Sequence, residues 1–330
     1  MTNQAVTIAY PTPTRPALPD ALAAAIEDAV AHSKAGNTLR AYRSDLRQFA
    51  AWCEAHQLPT LPTTAETVAA YAVDQRATHR LSTVRRQLSS IAKAHLVAGL
   101  PNPCASELLR ATVAGLARQY PQAPKRAASM TPDYLRQTLA GIRGAELADL
   151  RDRALLLVGW SAALRRSEIA GLRWNGIEAQ PLGVVLTLHG TKTDKLGQGQ
   201  RSPLAAERVA AICPVRALRA WQAALVGIDP ALVEGDAPVF RQVNRHGGLG
   251  GGLSGHAVGA IVTARSLAVG LEGMTGHSLR RGLTQAAHLA GVGDSAIMQT
   301  TRHRSIAQVR TYQGDAGLIE RAASRGLLAK

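Results

Sequence analysis

The stretch Thr301–Gly314, TRHRSIAQVRTYQG, holds three arginines, one histidine and, nine residues after that histidine, one of only six tyrosines in the chain. An isolated tyrosine is ordinarily a packed ring with its hydroxyl at the surface. Tyr312 stands instead among cations, close to the end of the chain. What it is for depends on what the rest of the sequence brings to it.

The cations are general. Lys and Arg number 38 against 23 Asp and Glu, a net charge of +15, and arginines recur in nearly every helical segment. A polyanionic partner is implied, and nucleic acid suits it better than a membrane surface, because no stretch reads as a basic amphipathic anchor. The longest apolar run, RALLLVGWSAALRR, is too short to span a bilayer and is bracketed by arginines. The N-terminus shows no basic-then-hydrophobic signal peptide. Cys53, Cys104 and Cys213 are far apart, without metal-ligand spacing, and suit reduced thiols in the cytoplasm. With 330 residues, 46% of them hydrophobic, the chain has material for two domains, each with its own core.

Residues 1–20 carry four prolines and little periodicity, and read as a flexible tail. A helical domain is expected over 21–119. Its first clear helix starts at Asn37 and places Leu39, Tyr42, Leu46, Phe49 and Trp52/Cys53 on one face, with Arg40, Arg43 and Arg47 on another. The next opens on a Thr63-to-Glu66 capping box. A third is capped by Ser82, stops at Gly99 and carries Arg85 and Arg86; a fourth runs from Ala105 to Arg118. Residues 120–130 hold prolines, Lys125 and Arg126, and read as a basic interdomain linker. Thr131-Pro132 is a good N-cap and N1 pair for the next domain, 131–330. That domain reads as mainly helical with one β-hairpin, GVVLTLHGTKTDKLGQGQRSPL. Helices are expected at Pro214–Val226, Ser254–Leu271, Ser278–Ala290, Ser295–Thr301 and Ser305–Tyr312. The glycine run RHGGLGGGLSG reads as a flexible loop.

Four short stretches carry chemistry. In ALRRSEIAGLRW, Arg165 follows an apolar helix, and a guanidinium there needs an acid or a phosphate; Glu168, three residues on, lies on the same face. TKTDKLGQG puts Lys192 and Lys195 in a hairpin turn. GHSLRRGLTQAAH puts His277 at the edge of a helix starting near Ser278, and Arg280 in its first turn, so both face one anion. The fourth stretch brings His303 and Tyr312. No carboxylate or His/Cys cluster suggests a metal, and no cofactor is expected. Phosphoryl transfer through a covalent intermediate needs a nucleophile, cationic clamps and a proton donor, and this inventory supplies all three. A phenolate leaves more readily than an alkoxide, so a tyrosyl phosphodiester is reversible without external energy.

The order Arg…Lys…His-x-x-Arg…His…Tyr resembles the tyrosine recombinase, or phage integrase, family. ALRRSEIAGLRW resembles its first arginine box, TKT its hairpin lysine, HSLRRG its His-x-x-Arg box, and RHRSIAQVRTY its spacing of histidine to nucleophile. The segment beginning NTLRAYRSDLRQFAAWC resembles the family's helical, SAM-like core-binding domain, so the likeness spans roughly residues 21 to 315. It implies a two-domain, C-shaped clamp on double-stranded DNA, bearing a specific recombination site, with four copies on two sites. Tyr312 would attack the scissile phosphate to give a 3′-phosphotyrosyl link and a free 5′-hydroxyl. Arg165 and Arg280 would clamp the phosphate, Glu168 would support Arg165, and His277 would move the tyrosine's proton. His303 would hydrogen-bond the phosphate, and Lys192, or alternatively Lys195, would protonate the leaving oxygen. Residues 317–330 would form a helix that docks on a neighbouring subunit or folds back on its own core.

The sequence departs from the family at Arg302, where glycine is common, and at Arg166, where an apolar residue is common. Both add charge near a phosphate, and Arg302 joins Arg40, Arg43, Arg47, Arg85, Arg86, Lys125, Arg126, Lys195 and Arg281 as candidate DNA contacts. The rivals are a type IB topoisomerase with the same chemistry, a catalytically idle DNA-binding regulator, and a metal-dependent nuclease. Integration, excision and resolution, and the use of accessory proteins or a second recombinase, all stay open.

Overall fold

The structure is a computed structural model and describes residues 36–121, 127–189, 199–303 and 305–313. The expected tail, Lys125, Arg126, Lys192, Lys195 and the C-terminal helix lie outside the described residues, as does the side chain of Tyr312. The chain divides into two compact units, Met1–Pro124 and Lys125–Lys330.

In the first unit four helices, α1 (Gly36–Ala55), α2 (Ala65–Thr78), α3 (Leu81–Val97) and α4 (Glu107–Gln119), share one core. The expected apolar stripe of α1 supplies Phe49 and Cys53 to it, against Val68, Tyr71, Ala72, Val84, Leu88, Ile91, Leu109 and Leu116. Phe49 and Trp52 both meet Tyr71 edge to face, with ring centroids 5.0 and 5.3 Å apart. Arg40, Arg43, Arg47 and Arg85 are exposed.

The caps differ from expectation in detail. α2 is capped by Thr64, whose hydroxyl accepts the Thr67 N–H, and not by Thr63. Thr63 donates its backbone N–H to His95 Nε2 at 3.1 Å, and the other nitrogen of His95 holds the Ile91 carbonyl. The third helix starts at Leu81, ahead of the expected Ser82 cap. The fourth starts late, because Pro103–Ala105 makes a 3-10 turn and Ser106 then caps α4.

The second unit is built round α6 (Leu147–Ser161), which comes after α5 (Pro132–Ala140), itself capped by Thr131 as expected. Five consecutive residues of α6, Ala154 to Val158, are buried, so this stretch of the helix is apolar on every face and other elements surround it. Around it lie α7 (Arg166–Gly171), α8 (Pro214–Val226), α9 (Gly255–Leu267), α10 (Gly276–Leu289), α11 (Asp294–Thr301) and α12 (Ile306–Gln313). Asp152 is buried on α6 because Arg151 and Arg265 both donate to it at 2.7 Å, and Arg265 also reaches Asp149. This pins α9 to α6.

A three-stranded antiparallel sheet runs β1 (Ile177–Gln180), β2 (Gly183–Leu188), β3 (Gln200–Ala205). The hairpin strands were expected; β1 was not. The glycine run is not a loop. Its second half forms β5 (Leu249–Gly252), paired with β4 (Arg241–Val243) through a turn in which Asn244 Oδ1 accepts the N–H groups of His246 and Gly248. Gly247 has φ +81°, a conformation glycine takes without steric cost. Backbone pairing makes this hairpin, so side-chain patterning could not announce it. α9 stops at Leu267, short of the expected Leu271.

Candidate active site

The site is built on the turn between α6 and α7. Ala163 there has φ +48°, and its carbonyl accepts Arg280 Nη1 at 2.8 Å. The preceding carbonyl, of Ala162, accepts Arg302 Nη1 at 3.3 Å. Two residues on, Arg165 forms the N-cap of α7. Its backbone N–H donates to Glu168 Oε2 at 2.9 Å and its guanidinium to Glu168 Oε1 at 2.5 Å. Glu168 therefore does hold Arg165, as the spacing implied.

Glu168 has a second cation. Arg302 Nη2 donates to Oε2 at 2.8 Å, and Arg302 Nη1 also reaches Ser202 Oγ at 2.6 Å and the Thr300 carbonyl at 2.9 Å. Its side chain is only 6% exposed. The expectation that Arg302 contacts DNA is corrected: the guanidinium points inward and is held by four acceptors. Its backbone is left-handed at φ 57°, ψ 38°, ending α11 where glycine is usual, at a cost of about 1 kcal/mol. Burial would raise the Glu168 carboxyl, but Arg302 and then Arg165 outweigh it and keep the carboxyl below its usual range.

α10 starts at Gly276, capped by Thr275, two residues earlier than expected. His277 is consequently inside the first turn, and Arg280 comes one turn later, fully buried. His303 is buried after α11. Thr301 donates its hydroxyl to the Ile297 carbonyl at 2.7 Å, which leaves the Thr301 oxygen to accept His303 Nδ1–H at 2.7 Å. Both histidines are pushed below their usual value. For His277 the cause is burial, followed by Arg280, Arg165, Arg281 and Arg166. His303 is driven down to about 3 by burial, then by Arg280, Arg165, Arg302 and His277. These groups share one electrostatic neighbourhood, and in it both imidazoles are neutral at pH 7.

α12 packs on α10 and α11 and buries Val309. Tyr312 lies in its last turn, so the backbone of the expected nucleophile is carried by a helix resting on the His277–Arg280 helix.

Two other expected DNA contacts have partners within the protein. Arg281 Nε donates to Ser129 Oγ at 2.9 Å, beside Met130, whose N–H donates to the Ser278 carbonyl and whose own carbonyl accepts Trp160 Nε1 at 2.8 Å. The segment entering the second unit is thus strapped to α10. Arg86 donates to both oxygens of Asp45, a carboxylate 1% exposed that Ser90 also holds at 2.8 Å. Arg166 is exposed, and its stem lies against the glycine face of Gly276. The sequence did not signal the Ala162–Ala163 turn. It held one hint for Arg302: α11 must end somewhere before His303, and neither Gly nor Asn stands there.

The sequence profile of the phage integrase family matches residues 128–316, more than half of the chain. An "Integrase/recombinase xerD homolog" of Selenomonas ruminantium is 34% identical over 292 residues, covering 85% of this chain and 82% of the relative. Among solved structures, the Tn1549 transposon integrase bound to transposon right end DNA matches with TM-score 0.61 at 14% identity, over 92% of this chain and 98% of that one. A lambda integrase tetramer bound to a Holliday junction matches with TM-score 0.58 at 16% identity, over 90% and 77%. The fold is shared with both. The profile matches within the second unit and the 34% relative covers 85% of the chain, so the chain belongs to the phage integrase family and is a tyrosine site-specific recombinase acting on DNA.

Proposed function

We propose that Tyr312 is the nucleophile and that Arg165, Arg280, His277 and His303 form the phosphate site. The observation that carries this is the crowding of Arg165, Arg280 and two neutral histidines into one neighbourhood where a phosphate dianion or diester relieves the repulsion. The Tyr312 oxygen attacks phosphorus, a P–O bond forms and the bond to the 5′-oxygen breaks. Neutral His277 accepts the phenol proton, and Lys192, with Lys195 as the alternative, supplies a proton to the departing 5′-oxygen. The product is a 3′-phosphotyrosyl link and a 5′-hydroxyl; the reverse steps rejoin the strand with the energy conserved.

The DNA carries a specific site, and four copies act on two sites. The relative of known structure described as a tetramer on a Holliday junction supports that assembly. The exposed Arg40, Arg43, Arg47 and Arg85 contact phosphates from the first unit.

The test incubates the protein in EDTA with nicked fragments flanking its own gene, then denatures in SDS. A covalent protein–DNA adduct is expected in wild type and absent in Tyr312→Phe, at similar DNA affinity. Cleavage retained by Tyr312→Phe overturns the assignment. Relaxation of a supercoiled circle lacking the site would favour topoisomerase action.

A further inference from the structure

We propose that Arg302 is a positioning residue for strand cleavage, acting from beneath the phosphate site by holding Glu168, and through it Arg165, together with the turn that holds Arg280. The proposal rests on the assignment of Arg165 and Arg280 to the phosphate.

The geometry gives Arg302 this role and leaves it no direct one. Its guanidinium is buried, and its four hydrogen bonds run to Glu168 Oε2, Ser202 Oγ and the carbonyls of Ala162 and Thr300. Glu168 is the hinge of the arrangement. Oε1 accepts the Arg165 side chain, while Oε2 accepts both the Arg165 backbone and Arg302. With Arg302 gone the carboxylate keeps only its bonds to Arg165; the second guanidinium on Oε2 ties it to a different part of the chain and restricts its side-chain torsions. Arg302 thereby fixes the plane in which Arg165 is presented.

The same side chain acts on the neighbouring turn. Ala162 offers its carbonyl to Arg302 and Ala163 offers the next one to Arg280. A shift of this turn moves both arginines together. Through Ser202 the guanidinium also ties β3 to the end of α11, the residue before His303. One buried cation therefore links three groups assigned to the phosphate, reaching Glu168 and Ala162 from 134 and 140 residues away. An arginine is kept in a left-handed position that glycine would occupy without strain, and these four bonds compensate for it.

The experiment measures single-turnover adduct formation on a nicked suicide substrate, DNA affinity and thermal unfolding for wild type, Arg302→Gly, Arg302→Lys and Arg302→Gly with Glu168→Gln. Arg302→Gly removes the backbone strain, so it should fold. Its cleavage rate is expected to fall about 10- to 100-fold, the scale of a small misplacement in a preorganised site, with affinity within about twofold of wild type. Arg302→Lys keeps the charge without the fork and should fall in between. Adding Glu168→Gln should cost little more, because the two residues act as one unit. Low-millimolar guanidinium chloride, against matched sodium chloride, should restore part of the Arg302→Gly rate by refilling the pocket.

Wild-type cleavage by Arg302→Gly overturns the proposal. So does an activity loss that merely tracks lost folding or DNA binding and is not rescued by guanidinium, since a structural role predicts that pattern. If wild type itself forms no adduct at Tyr312, the catalytic assignment fails first, and the two failures are distinct.

Discussion

Arg280 and Ala163 are 117 residues apart in sequence and joined by a 2.8 Å hydrogen bond that exists because Ala163 adopts φ +48°. The left-handed residue turns its carbonyl toward α10 and gives a fully buried guanidinium an acceptor. Ala163→Gly should keep this geometry, with cleavage and melting temperature near wild type or slightly raised. Ala163→Val places a β-branched side chain in a buried left-handed position, and should cost about 2 kcal/mol in urea unfolding while reducing cleavage.

Gly282 lies where α10 passes under the strap entering the second unit. A Cβ there would sit 1.8 Å from the Met130 carbonyl oxygen and 2.9 Å from Trp160 Nε1. Backbone has to move to admit it. Gly282→Ala is expected to lose about 2–3 kcal/mol by chemical denaturation. Trp160→Phe, which removes the bond to Met130 and part of the ring packed against the core, should lose about 1–2 kcal/mol.

His303 gives the free protein an acid-side instability. Its folded value is about 3 and its ordinary value 6.5, so between these the unfolded chain binds more protons. Stability is fully present above about pH 6.5 and declines as pH falls toward 3; His277, shifted the same way, adds to the slope. Melting curves from pH 8 to 5 should show this decline, and His303→Gln should flatten it.

Phosphate binding should reverse that shift. With Nδ1–H committed to Thr301, His303 donates to a phosphate from Nε2 only as the imidazolium. Binding of the cognate site is therefore expected to take up protons, seen as a buffer-dependent enthalpy in calorimetry. His303→Gln should lose that dependence. Uptake unchanged in His303→Gln would place the linked proton elsewhere.

Arg86 and Arg43 should separate as variants. Arg86→Ala takes the guanidinium from both oxygens of Asp45, which Ser90 also holds, and should destabilise the protein by about 2 kcal/mol. Arg43 is exposed on α1, so Arg43→Ala should leave the melting temperature alone and reduce the salt dependence of DNA binding by about one ion. Salt titrations and melting curves on both variants check the contrast.

Much of this was legible along the chain. The α1 stripe predicted Phe49 and Cys53 in the core because helical spacing repeats locally, and Thr131-Pro132 marked a cap whose bond to Tyr134 spans three residues. Thr63 was a poorer guide. The capping-box pattern favoured Thr63, with Glu66 three residues on, yet its backbone N–H goes to His95, 32 residues away, and Thr64 makes the cap. The β4–β5 hairpin escaped for the opposite reason, because its glycines pair through backbone and carry no alternation to read.

The sequence by itself determined the family, since the ordered motifs from Arg165 to Tyr312 that carry the resemblance lie within the residues the family profile matches. It also determined the helical framework, because apolar periodicity and caps act over a few residues. Only the tertiary structure decided which cations face outward and which hold the frame. Arg302, Arg281 and Arg86 read like Arg43 along the chain, yet Glu168, Ser129 and Asp45 hold them from 134, 152 and 41 residues away. A guanidinium's role depends on which acceptor folding brings within about 3 Å of it, and that distance is not written in its neighbours.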